Sequence, residues 1–449
     1  MKRPSRREFL GKAAGVSGAL ALGAPLAAFA RHGGLDAEAG YGPLEPRPDE
    51  NTGAAPLALP RGFRYWSIGA AGSPMSDGRP TPPAHDGTAA FASGSRVRLV
   101  RNHECRGGGP AFGPAEMAYD PEAPGGTTTL VFDPAHPERP ESFASLSGTS
   151  TNCAGGLTPW GSWLTCEETF HETRSSGRVL RHGYVFEVPS AADRAVPATP
   201  LRALGRFVHE AVAVDPETGI VYQTEDADAA GFFRFVPEGG LAAGRLQMLA
   251  VSGRPNADTR GKQTVGRALP ASWLDVDEPD PAEGQPSCHR QGFKKGAAVF
   301  RRLEGAWWSP VDRAVYFTAT DGGDARAGQV WAFRPAPGDG TLTLVYESPS
   351  PQALFKPDNI TVSPTGGLLV CEDPDGRHSC RLQGLSREGT LFPFAADRRP
   401  GPGALPGARD EFTGACFSPD GTWLFVNLQG LGVTFAITGP FSAGPLGRS

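Results

Sequence analysis

Apolar positions along this chain fall in short alternating runs, each cut off by Gly, Pro or a carboxylate within about ten residues. That period of two predicts β-strands, and no long window carries the 3.6-residue apolar period of an amphipathic helix. One unit recurs: a turn rich in Gly or Pro, a short β-rich strand, and a polar or acidic end. Its copies are FASGSRVRLVRNHE (91–104), TPWGSWLTCEE (158–168), DPETGIVYQTED (215–226), SPVDRAVYFTATD (309–321), SPTGGLLVCED (363–373) and SPDGTWLFVNLQ (418–429). A second unit follows each copy, alternating apolar residues around an aromatic: TTTLVFDP (127–134), GYVFEVP (183–189), GFFRFVP (231–237), GQVWAFRP (328–335), GTLFPF (389–394) and GVTFAIT (432–438). Six such pairs predict an all-β fold made by radial repetition, a six-bladed β-propeller with loop insertions. A two-sheet β-sandwich is the runner-up, but it gives no reason for six copies. The longer interval between Glu225 and Asp321 is rich in proline and charge over about 240–300 and reads as an excursion on one face.

The opening residues change the picture of where the chain works. Lys2, Arg3, Arg6 and Arg7 precede a small-residue apolar stretch that ends Ala28-Phe29-Ala30, the pattern of a cleaved signal peptide. Ser5-Arg6-Arg7-Glu8-Phe9-Leu10 is the twin-arginine form of such a signal. The expected organisation is a twin-arginine signal peptide over 1–30, a flexible N-terminal segment over 31–60, and one propeller domain over 61–449. Export by the twin-arginine machinery would place the protein in the periplasm or outside the cell. A net charge of −5 argues against a nucleic-acid partner, and a monomer is expected.

Charge matters most at the strand ends. The repeated strand closes on Glu104, on Glu167 and Glu168, on Glu225 and Asp226, on Asp321, and on Glu372 and Asp373. One such acid is ordinarily a solvated turn. Equivalent ends of a propeller's blades, however, face one another around its channel, and clustered carboxylates repel unless a cation neutralises them. Asp, Glu and Asn oxygens suit Ca²⁺, whereas His or thiolate ligands shift the choice toward a transition metal. His103 and His209, each directly before a glutamate, are secondary ligand candidates. The seven cysteines stand singly with no CxxC pair, which excludes a zinc ribbon. A Cys371–Cys380 or Cys288–Cys380 bridge stays open, and an odd count leaves at least one thiol over. Cys153 sits before Ala154-Gly155-Gly156, where backbone can approach a bound group closely.

The stretch NCAGGLTPWGSWLTCEET (152–169) resembles the signature of the PhoX-type alkaline phosphatases. GRFVHEAVAVDPETGIVYQTED (205–226), FRRLEGAWWSPVDRAVYFTATD (300–321) and FKPDNITVSPTGGLLVCED (355–373) are similar to that family's later segments, in the same order. The likeness spans most of the chain after the signal. It implies a β-propeller phosphomonoesterase with an iron (Fe³⁺) and calcium cluster in its channel, acting on a small phosphorylated substrate. By the resemblance, Cys153 is an iron ligand, and Glu168, Glu210 and Glu304 are metal ligands. Glu304 is also placed with Arg302 in the catalytic segment, where Arg302 would hold a phosphate oxygen. Glu225, Asp226, Asp358, Asn359, Glu372 and Asp373 are implied as calcium ligands. The sequence departs from the family where Leu303 separates Arg302 from Glu304 in place of proline, and the chain is shorter than the longer members. The residues alone leave two alternatives: a calcium-dependent propeller lactonase or esterase, and a non-catalytic exported binding propeller.

Overall fold

The computed structural model describes residues 40–170, 180–374, 378–399 and 410–447. The expected signal peptide lies outside the described residues, as do residues 31–39. Strands dominate, as the alternation and the Gly and Pro turns predict. First come β1 (Leu44–Pro46), β2 (Leu57–Pro60) and β3 (Arg64–Ile68). A meander follows of β4 (His85–Ser93), β5 (Arg96–His103), β6 (Gly125–Phe132) and β7 (Glu141–Thr149). Next are β8 (Asn152–Leu157), β9 (Ser162–Glu167) and β10 (Val185–Pro189). The chain continues through β11 (His209–Val214), β12 (Val221–Glu225), β13 (Phe232–Pro237), β14 (Gly244–Val251) and β15 (Ala268–Asp275). A helix, α1 (Cys288–Lys295), precedes β16 (Leu303–Ser309), β17 (Ala314–Ala319), β18 (Gln329–Pro335) and β19 (Gly340–Glu347). The last strands are β20 (Pro357–Val362), β21 (Leu368–Glu372), β22 (Arg381–Leu385) and β23 (Leu391–Asp397), then β24 (Phe412–Phe417), β25 (Trp423–Leu428) and β26 (Val433–Thr438).

The arrangement is all-β and propeller-like, but the expectation of six separate blades is corrected. Among the described residues, hydrogen bonding gives four smaller sheets and one of nine strands. The cause is β15, part of the long excursion. It pairs β14 on one side and β19 on the other, which fuses the β11–β14 and β16–β19 meanders edge to edge. β3 pairs β26, so the N-terminal part of the chain completes the last sheet. β1 and β2 fall inside the expected N-terminal segment and join the domain: β1 pairs β2, β2 pairs β23, and Leu57 and Leu59 are fully buried.

The apolar cores lie between neighbouring meanders, as where Phe232 of the β11–β14 meander stacks on Phe317 of the β16–β19 meander at 4.3 Å. The axis is left to β4, β8, β11, β16, β20 and β24, which pack against one another in a closed ring. Small residues let these strands meet. A Cβ on Gly87 would stand 2.6 Å from the Ala154 Cα, and one on Gly305 2.7 Å from the Asn359 Cα. This waist closes the axis. On one side of it an apolar cavity of about 400 Å³ is lined by Trp307, Trp308 and Phe417. The acids gather on the other.

Candidate metal centre

Two backbone devices, repeated around the ring, build the site. The first is a bulge near the start of each axial strand. His85 pairs His103 but Thr88 pairs Arg101, and the same one-residue slip separates Asn152 from Gly155, His209 from Val212, Leu303 from Ala306 and Pro357 from Ile360. A bulge re-aims the residue it leaves unpaired. Five bulges carry Asp86, Cys153, Glu210, Glu304 and Asp358 directly after the first paired residue; the sixth, between Thr413 and Cys416, brings no carboxylate. The second device is a clamp. The N–H of the residue just past the second strand donates to the carbonyl just before the axial strand. These bonds run Glu104 to Ala84, Glu168 to Thr151, Asp226 to Val208, Thr320 to Arg302, Asp373 to Lys356 and Gln429 to Glu411, at 2.8–3.1 Å. Each repeat thereby offers three side chains at the same end of the axis.

Those side chains converge. Ligand atoms of Glu104, Cys153 and Glu168 lie within 4.8 Å of one another, and so do those of Asp86, Glu104 and Glu411. The same limit holds for Glu168, Asp226 and Glu304, for Glu210, Glu304 and Asp358, and for Asp358, Asp373 and Glu411. The triplets share members, so nine carboxylates and one thiol form a continuous network. Arg302 is the inner counter-charge: its Nε and Nη2 donate to Asp226 at 2.9 Å each, and Nη2 lies 2.9 Å from Glu304. Arg106 reaches Glu104 and Glu168 from the mouth. The surplus of negative charge is large. Burial, then neighbouring carboxylates, holds Asp86, Glu168, Glu210, Glu304 and Glu411 well above the ordinary carboxylate range. Burial and Asp373 push Asp358 up to about 7. The Cys153 thiol is raised by burial and by Asp86 and Glu210, whose oxygens lie 3.7 and 3.2 Å from Sγ.

This donor set fits resident cations. The Glu210 Oε2 is buried without a hydrogen-bond partner, a costly arrangement for a carboxylate oxygen unless a ligand completes it. Oxygen-only triplets match a hard cation such as Ca²⁺, and the thiol shifts the choice at its own position toward a transition metal.

The structure brings together Cys153, Glu168, Glu210, Asp226, Arg302, Glu304, Asp358 and Asp373 among the expected residues. Asn359 adjoins them, donating to Asp358 at 2.8 Å and accepting from the Gly414 N–H at 2.7 Å. Glu225 and Glu372 do not join. Successive residues of a strand face opposite ways, so where two acids end a strand only the second reaches the axis. Glu225 accepts from the Gly231 N–H at 2.8 Å, and Glu372 is held by Arg381 at 2.6 and 2.7 Å. Glu167 follows the same rule, accepting from Ser150, Gly183 and Tyr184 N–H groups and bonding His182 at 2.6 Å. His103 and His209 are occupied by the Pro83 and Gly205 carbonyls and stand outside the triplets. The site residues missed in the sequence are Asp86, in the bulge at the start of β4, Glu411, which directly precedes β24, and Glu104, seen as a strand-end acid but not placed. Glu372→Ala is expected to leave bound metal unchanged while destabilising the fold by about 3 kcal/mol, because Arg381 loses its buried partner. Denaturant unfolding and elemental analysis on one preparation check both halves.

The family model of the alkaline phosphatase PhoX matches residues 39–133 and 124–432. A gluconolactonase from Xanthomonas campestris aligns at 11% identity and TM-score 0.45, covering 91% of this chain and 99% of its own. A protein of unknown function from Bacteroides thetaiotaomicron aligns at 12% identity and TM-score 0.37, covering 80% of this chain and 83% of its own. No curated protein sequence matches. With the family model running over most of its length, the chain belongs to the alkaline phosphatase PhoX family.

Proposed function

We propose that this chain is an exported, metal-dependent phosphomonoesterase that hydrolyses small phosphate monoesters where its carboxylates converge. The observation that carries the reading is that nine carboxylates, Cys153 and Arg302 meet at one end of the axis in a chain of this family. Cys153, Glu168, Glu210 and Glu304 would hold iron. Asp86, Glu104, Asp358, Asp373 and Glu411 would hold calcium. When bound, such cations supply positive charge for phosphate oxygens and a water of lowered pKa.

The chain's own residues do the rest. Arg302 stays charged at alkaline pH and, with Nε and Nη2 engaged by the acids, has Nη1 to offer a phosphate oxygen. Asp226 grips the guanidinium through two parallel bonds and Glu304 through a third contact, so it is oriented before substrate arrives. Fixed in place, it meets the charge that spreads over the equatorial oxygens in the transition state. Twin-arginine export to the periplasm or beyond, as a monomer, completes the proposal.

Elemental analysis alongside p-nitrophenyl phosphate hydrolysis tests it. Iron and calcium in the purified protein, with hydrolysis lost on chelation, are the expected results; absence of both metals sinks the reading. Cys153→Ala is expected to lose iron and at least about 100-fold in turnover, as removal of a directly bonded ligand should. A variant that retains full p-nitrophenyl phosphate hydrolysis would remove the thiol from the mechanism, whereas wild type that opens lactones and leaves the phosphate ester intact would favour the calcium lactonase alternative.

A further inference from the structure

We propose that Arg106 is a second anion-binding arginine, which closes on the phosphate of the substrate from the side opposite Arg302. The inference rests on the phosphatase reading and assigns a substrate-contacting role to a residue outside the family motifs identified in this sequence. Three observations carry it. Arg106 and Arg302 converge on one carboxylate triplet: Arg106 Nη2 lies 3.1 Å from Glu168, while Arg302 bonds Asp226 and Glu304, and the ligand atoms of those three acids lie within 4.8 Å of one another. A tetrahedral dianion above that triplet would therefore have a guanidinium on either flank.

The two arginines also differ in freedom. Arg302 is fixed by a two-pronged bond, and its side chain is 30% exposed. Arg106 reaches Glu104 and Glu168 through Nη2 alone, and its side chain is 67% exposed. Finally, Arg106 opens the run Gly107-Gly108-Gly109. A Cβ on Gly107 or Gly108 would meet nothing within 4 Å, so this side of the loop is not packed against other atoms and leaves space beside the Arg106 side chain. Cations on Glu104 and Glu168 would weaken the hold of those acids on Arg106, leaving its remaining donors for a ligand that brings its own negative charge.

The test uses full-length mature protein and inorganic phosphate as the probe. Calorimetric phosphate affinity, KM and kcat for p-nitrophenyl phosphate, and metal content are measured for wild type, Arg106→Ala and Arg106→Lys. Arg106→Ala is expected to weaken phosphate binding and raise KM about tenfold or more, with kcat within about threefold and metal content unchanged, the pattern of a lost binding contact. Arg106→Lys should recover part of the affinity by restoring charge without the fork. Unchanged KM and phosphate affinity in Arg106→Ala overturn the proposal while the phosphatase reading stands. Loss of metal, with phosphate affinity restored by excess iron and calcium, also overturns it by making Arg106 a residue that organises the cation site. Wild-type protein that neither binds phosphate nor hydrolyses the ester sinks the phosphatase reading and this inference together.

Discussion

Stripping the cations from this protein is expected to reverse the pH dependence of its stability. Metal-free, the site must fold with crowded carboxylates whose pKa values lie above their unfolded values: Asp358 at about 7, and Asp86, Glu168, Glu210, Glu304 and Glu411 higher than the ordinary range. A carboxyl raised in this way binds its proton more tightly folded than unfolded. Its stabilising contribution is complete below the unfolded pKa, about 4, and is lost as pH rises through the folded value. The metal-free protein should therefore lose stability steadily as pH rises from about 4 through about 7, the Asp358 value, and beyond it for the acids held higher. Loaded protein should behave oppositely, because cations bind the deprotonated ligands and protons displace them as pH falls. At pH 8, saturating two sites at about a thousand times Kd stabilises by roughly 8 kcal/mol, and removing the ions should lower Tm by about 10 °C or more. Thermal melts of chelated and reloaded protein at pH 5, 6.5 and 8, with proton release followed on reloading, check the sign. Parallel pH profiles for the two forms would refute the account.

That reversal depends on which acids share the axis, and the sequence displays them unevenly. Strand-end carboxylates such as Glu168, Asp226 and Asp373 stand out because each follows an apolar run that must be a strand. Their pairing hides the roles: Glu-Glu, Glu-Asp and Glu-Asp read alike, while the structure turns the first residue back into the hairpin and only the second inward. The bulge positions are harder still. In HDGT, NCAG, HEAV, LEGA and PDNI, the inward residue is the one that breaks alternation, and no local propensity marks a bulge. Cys153, Glu210, Glu304 and Asp358 were reached through family resemblance, and Asp86 was not reached at all. Glu411 precedes β24, where the repeat carries Arg302 and Lys356 in other units, so searching strand ends for acids passes it by. The sheet count failed for a related reason. β15 looks like part of an irregular excursion, and only tertiary pairing makes it the seam between two meanders.

Replacing Arg302 should produce the largest loss of turnover available without removing a metal ligand. Its guanidinium is held by Asp226 and Glu304 from below; burial works against its charge, but those acids outweigh burial and raise its pKa, so it is charged at every working pH. The backbone at Arg302 has φ 43°, a left-handed step shared by Ala84, Thr151 and Lys356 at equivalent places. Arg and Ala meet similar strain there, so Arg302→Ala changes the side chain without changing the cost of the turn. A preorganised donor aimed at developing charge contributes about 10²–10³ in rate. Arg302→Ala is therefore expected to cost about 10³ in kcat/KM, with most of the loss in kcat and iron and calcium still bound. Arg302→Lys should regain less than about tenfold, since a single ammonium cannot span Asp226 and a phosphate oxygen with a rigid fork. Steady-state kinetics on metal-verified preparations decide it. Activity within threefold of wild type in the alanine variant would mean that the cations alone carry the phosphate's charge, with Arg302 serving to neutralise Asp226 and Glu304.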